Sequence, residues 1–291
     1  MTKPVITQDM INAYDEYTHL TLDRRGFMDK LTKLAGTAAA AATIAPLLAA
    51  SSASAAIVPA DDARLKAEDI SYPGAEGDMM GYLVRPANAS GKLGAVIVIH
   101  ENRGLNPHIR DVARRVALEG FVALAPDFLS PLGGTPVDED KAREMIGQLD
   151  PAKTVANEVA TLAFLKAHAE GNGKVGAVGF CWGGGAVNDL AVASPDLAAG
   201  VAYYGRQAKA EDVPKIKAAL VLQYAGMDER INAGIKAYEA ALKANGKDFK
   251  IYIYDGAQHA FNNDTSAARY DKAAADLAWG RTIAFFKKKL G

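Results

Sequence analysis

The run Lys174-Val-Gly-Ala-Val-Gly-Phe-Cys181-Trp-Gly-Gly-Gly185 admits few folds. Val175 to Phe180 has the apolar, small-residue character of a short buried strand, and Gly183-Gly184-Gly185-Ala186-Val187 leads into a helical pattern ending near Ser194. Between them lies Gly179-x-Cys181-x-Gly183, the cysteine form of the G-x-S-x-G nucleophile elbow. A strand that turns so abruptly into a helix strains its central residue and brings main chain together two positions before and after it. Side-chain bulk does not fit at those positions, whereas glycine does. Such a turn holds the sulfur above the carboxyl end of the strand and beside a helix N-terminus, whose free N–H groups favour a thiolate and can donate to an oxyanion. A buried cysteine before a Gly-rich turn is the plainer alternative. The coincidence of strand, helix and both glycines favours a nucleophile.

From Gly94 onward strand and helix patterns alternate, as expected of a mostly parallel sheet with helices on both faces. Strands are expected at Ala95–His100, Phe121–Ala125, the elbow strand, Gly200–Tyr204, Ala219–Tyr224 and Lys250–Tyr254. Helices are expected from Asn106-Pro107 to Leu118, at Val137–Gln148 and Pro151–Ala169, and at Ile231–Ala244 and Ser266–Leu290. Ahead of them, Ile70–Tyr72 and Met80–Arg85 read as an antiparallel hairpin at the sheet edge. Residues 68–291 therefore form a single α/β domain, with 56–67 as a linker. A chain of 291 residues, 49 % apolar, has enough material for one such core. Its net charge of −1, with no basic cluster beyond Lys287-Lys288-Lys289, argues against nucleic acid or an anionic membrane surface as partner. A single cysteine excludes an internal disulfide or a thiolate metal cage, and the five histidines show no zinc-binding spacing. No metal or organic cofactor is expected.

The first 55 residues read differently. Asp23-Arg24-Arg25-Gly26-Phe27-Met28-Asp29-Lys30 precedes an Ala-rich stretch from Leu34 to Ala50, and Ser52-Ala-Ser-Ala55 closes it. Paired arginines, a mildly apolar run and an A-x-A site resemble a twin-arginine export signal, cleaved after Ala55, which would deliver the chain to the periplasm. An uncleaved anchor or an amphipathic helix are the alternatives. The run is Ala-rich, interrupted by Pro46 and short for a membrane span, so membrane contact is expected only through export.

A cysteine nucleophile needs a base and a group that orients the base. In an α/β-hydrolase these follow the elbow in the order acid, histidine. His259 is the only histidine after Cys181, and it lies in a Gly-containing loop after a strand. Asp228, in the loop after Ala219–Tyr224, is the leading acid, with Glu229 and Asp255 as alternatives. Carboxyl ends of such strands face the ligand crevice. Glu101 follows its strand at the same edge, where it could accept the thiol proton in the resting enzyme. The backbone N–H groups of Asn102 and Trp182 are the expected oxyanion hole.

These residues resemble the dienelactone hydrolase family (carboxymethylenebutenolidases), α/β-hydrolases with Cys, Asp and His in the triad. The resemblance spans nearly all of residues 68–290. It is carried by Val98-Ile-His-Glu101-Asn-Arg-Gly-Leu-Asn106, Gly120-Phe-Val-Ala-Leu-Ala-Pro-Asp127, Gly179-Phe-Cys181-Trp-Gly-Gly184, Tyr203-Tyr-Gly205, Gly226-Met-Asp228 and Gly256-Ala-Gln-His259-Ala-Phe261. It implies an α/β-hydrolase fold, Cys181 as nucleophile, His259 as base, Asp228 as its partner and Glu101 as activator of the thiol, without a cofactor. Dienelactone-cleaving members carry a Ser after the catalytic His and an Arg a few residues on that grips the substrate carboxylate. Here those places hold Ala260 and Asn263.

The reading is therefore an exported hydrolase of a small ester or lactone, acting through an acyl-cysteine. A thioesterase, a peptidase or an idle binding protein on the same fold are the alternatives. Arg103 and Arg206 are the arginines expected near the crevice edge. Tyr203, Tyr204 and Phe261, with Trp182, are expected as aromatic walls that favour a neutral substrate.

Overall fold

The computed structural model describes residues 4–19, 21–49 and 56–291. Among these, eight strands form one sheet in the order β1-β2-β4-β3-β5-β6-β7-β8. The hairpin β1 (Leu65–Pro73) and β2 (Asp78–Pro86) is antiparallel, and β2 also runs antiparallel to β4 (Val122–Asp127). From β4 the sheet continues in parallel through β3 (Leu93–Ile99), β5 (Gly171–Phe180), β6 (Leu197–Tyr203), β7 (Ala219–Ala225) and β8 (Phe249–Tyr254). The elbow strand β5 lies at the centre, walled by β3 and β6, which is why it is apolar along its whole second half. This is the α/β-hydrolase architecture expected from the alternation of elements.

Two apolar layers sandwich the sheet. On one face, α6 (Pro151–Lys166), α7 (Trp182–Ala193) and α9 (Ile235–Ala244) pack Leu162, Leu190 and Leu242 beside sheet residues such as Ile97 and Leu222. On the other, α4 (Pro107–Leu118) and α10 (Lys272–Leu290) cover Val96, Val98 and Val201 with residues that include Val112 and Phe286. Pro107 at the first turn of α4 and Pro151 at the first turn of α6 follow Asn106 and Asp150, whose side chains accept from Ile109 N–H and Lys153 N–H. Proline costs nothing there because its missing donor would have no helical partner.

Several expected boundaries shift, beginning with the helix expected at Val137–Gln148, which is α5 (Glu139–Gln148). The linker is shorter than 56–67, because β1 starts at Leu65 and pairs with Pro86. The helix expected over Ile231–Ala244 is two pieces, α8 (Glu229–Asn232) and α9, with a turn at Ala233-Gly234 packed against Gln207. The last helix begins at Lys272 rather than Ser266. Asp271 caps it by accepting from Ala274 N–H, and the residues before it form turns that hold the loop after β8.

The N-terminal segment folds onto the same body. Helices α1 (Gln8–Thr18), α2 (Arg24–Ala35) and α3 (Ala38–Leu48) bury Met10, Tyr14, Tyr17, Phe27, Leu31 and Ile44 against one another. No single helix among the described residues is long and apolar enough to cross a membrane. The expected A-x-A site at residues 52–55 lies outside the described residues.

At the elbow, a Cβ on Gly179 would lie 2.0 Å from the carbonyl oxygen of Gly183, and one on Gly183 would lie 2.5 Å from the carbonyl oxygens of Ile99 and His100. Both obstacles are backbone, so nothing can swing away. Gly179→Ala is expected to cost ~3 kcal/mol or more, the upper end for overpacking, read as a lowered denaturation midpoint. A melting curve equal to wild type would show that the elbow relaxes.

Candidate active site

Cys181 caps the N-terminus of α7 with φ 54° and ψ −112°, one of three non-glycine residues with positive φ among the described residues. The other two, Tyr204 (φ 37°) and Ala260 (φ 65°), lie beside the site. Strain of this kind persists only where the surroundings over-determine it. Here Cys181 N–H donates to Tyr203 O at 3.0 Å, while the Cys181 carbonyl receives Gly184 and Gly185 N–H.

The structure brings together the three residues singled out as a triad. His259 is 3 % exposed, and its Nδ1 lies 2.5 Å from Asp228 Oδ2. Asp228 accepts Ile231 N–H through its other oxygen at 3.2 Å, so its orientation is fixed by the start of α8. This geometry selects Asp228 over Glu229 and Asp255. His259 Nε2 is buried, is without a hydrogen-bond partner among the described residues, and is among the atoms clustered at Cys181 Sγ. Burial disfavours charge on both groups, yet their attraction outweighs it. The thiol is brought down to about 6 by His259 and then His19. The His259 imidazole is pushed up to about 10 by the sulfur and then by Asp228. Asp228 also titrates low: burial opposes this, but the hydrogen bond and charge of His259 prevail. Both shifts favour the thiolate–imidazolium form of the pair.

Glu101 sits at the same edge but does not hydrogen-bond the sulfur. Its Oε2 accepts from Asn263 Nδ2 at 2.8 Å and its Oε1 from the Tyr204 hydroxyl at 3.5 Å. Burial, followed by the Glu101 and Cys181 charges, pushes the Tyr204 hydroxyl well above its ordinary value. The backbone N–H groups of Asn102 and Trp182 donate to no protein acceptor among the described residues, as an oxyanion hole requires.

A cavity of about 420 Å³ opens beside the sulfur, lined among others by Trp182, Tyr204, Ile146, Arg143, Arg206 and Arg230. Two expected walls are not part of it. Tyr203 points to the opposite face of the sheet, where its hydroxyl meets Thr282 at 2.7 Å. β6 ends at Tyr203, and the positive φ of Tyr204 turns the chain so that Tyr204 lines the cavity while Tyr203 stays in the α10 layer. Phe261 is fully buried between Tyr204 and Tyr254 and props up the histidine loop from behind. Arg206 reaches the cavity rim but is paired with Asp189. Arg103 is buried, held by Glu139 and the Tyr14 hydroxyl.

Sequence reasoning missed the roof of this cavity. Thr18 and His19, at the end of α1, line it. The Asn102 side chain donates to Thr18 O, and Gln8 Nε2 donates to Gln258 Oε1 at 2.9 Å. Asp15 receives Arg269 at 3.0 Å, and Arg143 stacks 3.8 Å from the Tyr17 ring centre. His19 Nε2 lies 3.5 Å from Cys181 Sγ. The available signal was the spacing Met10, Tyr14, Tyr17, an amphipathic aromatic stripe unlike a simple leader. His19, Cys181 and His259 present their ligating atoms within 4.8 Å of one another. However, the Arg230 guanidinium 2.8 Å from His19 Nε2 opposes a cation there.

A central elbow, an aspartate–histidine pair and free amides beside a cavity define a hydrolase of the α/β-hydrolase fold. Comparison with known proteins narrows this. The model of the "Dienelactone hydrolase family" matches residues 79–290. A curated Escherichia coli (strain K12) protein, "Putative carboxymethylenebutenolidase", is 32 % identical over 255 residues, covering 82 % of this chain and 93 % of its own. The solved structure of a Klebsiella pneumoniae protein titled "Putative Dienelactone Hydrolase" superposes with a TM-score of 0.70 at 29 % identity, covering 77 % of this chain and 98 % of that one. The structure of a dienelactone hydrolase-like promiscuous phosphotriesterase from metagenomic libraries gives 0.71 at 26 % identity, over 78 % and 100 % of the two chains. The chain belongs to the dienelactone hydrolase family and is a carboxylic ester or lactone hydrolase.

Alkylation by iodoacetamide requires the thiolate, so its rate in the full-length protein is expected to climb through about pH 6 and level off. Asp228→Asn removes the charge behind the imidazolium and should move that midpoint upward. A wild-type midpoint in the ordinary thiol range, about 8.5, would refute the ion pair.

Proposed function

We propose that this chain hydrolyses a small, uncharged ester or lactone through an acyl-cysteine intermediate formed on Cys181. The observation that carries the reading is the hydrogen bond of His259 Nδ1 to Asp228 Oδ2, which leaves His259 Nε2 bare at the sulfur side. In this mechanism the Cys181 thiolate attacks the substrate carbonyl. The N–H groups of Asn102 and Trp182 receive the developing oxyanion. His259, as imidazolium, gives its Nε2 proton to the leaving oxygen, and the carbonyl collapses to the thioester. A water molecule then attacks the thioester, losing its proton to His259 Nε2, and the acid departs as the thiolate is restored. Asp228 stays ionised and keeps the imidazole in its Nδ1–H tautomer.

The preference for an uncharged substrate rests on what surrounds the sulfur. The guanidinium groups of Arg103, Arg206 and Arg269 are each paired with a carboxylate. Asn263 donates to Glu101 instead of offering a cation. Arg230 also lines the cavity and is bonded to His19 Nε2 without a carboxylate partner among the described residues, so the preference rests on Glu101, which repels a substrate carboxylate placed beside it. We further propose export to the periplasm by the twin-arginine route. Supporting this, Arg24 and Arg25 are exposed at the start of α2, just after the capping residue Asp23.

Cys181→Ala should abolish turnover of a short activated ester, with His259→Ala about as damaging and Asp228→Asn milder, since triad members act as a unit. Folded Cys181→Ala protein turning over at the wild-type rate would end the covalent reading. Between a lactone acid and its neutral analogue, kcat/KM should favour the neutral compound; a tenfold or greater preference for the acid (roughly 1.4 kcal/mol) would refute that part. For export, Arg24-Arg25→Lys-Lys should hold the chain inside the cell, because Lys does not present the planar guanidinium fork.

A further inference from the structure

Glu158, on α6, lines the cavity beside the sulfur and is 1 % exposed, yet neither of its carboxyl oxygens has a hydrogen-bond partner among the described residues. A buried carboxyl that has lost its water without a replacement is a costly arrangement for a fold to keep. The acyl-transfer steps above do not use it. Two charges of the same lining act on it, and they are already paired with each other, Asp189 with Arg206. Burial, followed by the Asp189 charge, pushes the Glu158 carboxyl well above the ordinary range, against an opposing pull from Arg206. The other arginines of the lining are turned elsewhere: Arg143 donates to the Tyr17 carbonyl and Arg230 to His19.

The cavity has a direction. Trp182, Ala186 and Asp189 all line it, and their spacing of four and then three residues puts them on one face of α7. Counted from Cys181 at the helix cap, Asp189 stands ~12 Å along the axis. Glu158, Asp189 and Arg206 thus form a polar end about two turns away from the sulfur, with Trp182 and Ala186 as apolar wall on the way. A separate, smaller recess at the sulfur is lined by His259, Glu101 and Ala260. The leaving oxygen must reach His259 Nε2 to take its proton. The leaving group therefore occupies the His259 side, and the acyl chain runs along α7.

We propose that Glu158 sets acyl specificity: its carboxyl hydrogen-bonds a hydroxyl at the distal end of the acyl chain, so the preferred substrates are hydroxyacyl esters. A hydroxyl both donates and accepts, and so it satisfies a carboxyl in either protonation state. A second carboxylate would be repelled by Asp189, and an ammonium would demand a charged Glu158 in a place where burial disfavours charge. The proposal rests on the reading of the chain as a hydrolase of uncharged esters and names the group that such an ester carries. Glu158, Asp189, Arg206 and α7 all lie after residue 55, in the part of the chain that export would leave.

The test compares methyl esters of straight-chain acids with their ω-hydroxy counterparts, from butanoate to decanoate, on the full-length chain. The ratio of kcat/KM within each pair cancels the fraction of folded enzyme. In the wild type it should favour the hydroxy ester by about tenfold or more at one chain length and decline on either side, since a site built to bond a hydroxyl discriminates against the analogue without one. Glu158→Leu should bring the ratio close to one, whereas Glu158→Gln, which keeps an acceptor and a donor, should retain most of it. A wild-type ratio near one at every length would overturn the proposal, as would an unchanged ratio in Glu158→Leu. Stronger preference for the ω-amino esters would overturn it too, by showing a carboxylate that pairs with a cation. Failure of the acyl-cysteine reading would appear separately, as turnover of either ester that survives Cys181→Ala.

Discussion

The contact on which the site depends is the close approach of main chain at the end of β5, where Gly179 meets Gly183 and Gly184 with no room for a side-chain atom. That approach forces Cys181 into positive φ and turns its sulfur out of the sheet. Because β5 is the central strand, the sulfur emerges where the loops after β3, β6, β7 and β8 converge. Each contributes one element: Glu101 and Asn102, Tyr204, Asp228, and His259. The chemistry is distributed over five segments, and the elbow is the point to which their geometry refers. Gly184 and Gly205 repeat the device one layer on, with their backbones too close for any Cβ, so the turn after β6 seats against the start of α7.

Electrostatics then follow from burial. A thiol and an imidazole in an apolar setting would ordinarily both be neutral. Here their mutual attraction, reinforced by Asp228, outweighs the loss of water around each charge. The low dielectric that makes an unpaired charge costly also strengthens the attraction within the pair. Elsewhere burial prevails: Glu158, which lines the cavity, is raised well above the ordinary carboxylate range, first by desolvation and then by the Asp189 charge.

Much of this was legible in the sequence because it is dictated locally. The alternation of apolar strands and capped helices specifies the layers, and Gly-x-Cys-x-Gly between a strand and a helix can hardly be anything but a sharp turn. His259 was identifiable as the one histidine after the elbow. Asp228 needed coordinates to separate it from Glu229, one residue away, since only the bond to His259 Nδ1 distinguishes them. Tyr203 and Phe261 were placed on the wrong side because loop residues and strand ends do not announce their direction in a linear pattern. His19 was invisible for a different reason. It reaches Cys181 across 162 positions, and a composition that resembles a leader masks a tertiary contact that no local periodicity encodes.

The N-terminal helices have a further property. Among the described residues their apolar side chains bury mainly against one another, and Ala268 is the residue of the main body packed into that cluster. What joins them to the enzyme is polar: Asp15 with Arg269, Tyr14 with Arg103, Tyr17 with Arg143, Thr18 with Asn102. A body seated this way can lift from the hydrolase without exposing its own oily interior, because water replaces what it leaves behind. The roof over the sulfur is thus held by an ion pair and by hydrogen bonds, contacts that water can replace one for one, and not by the hydrophobic effect that holds the sheet.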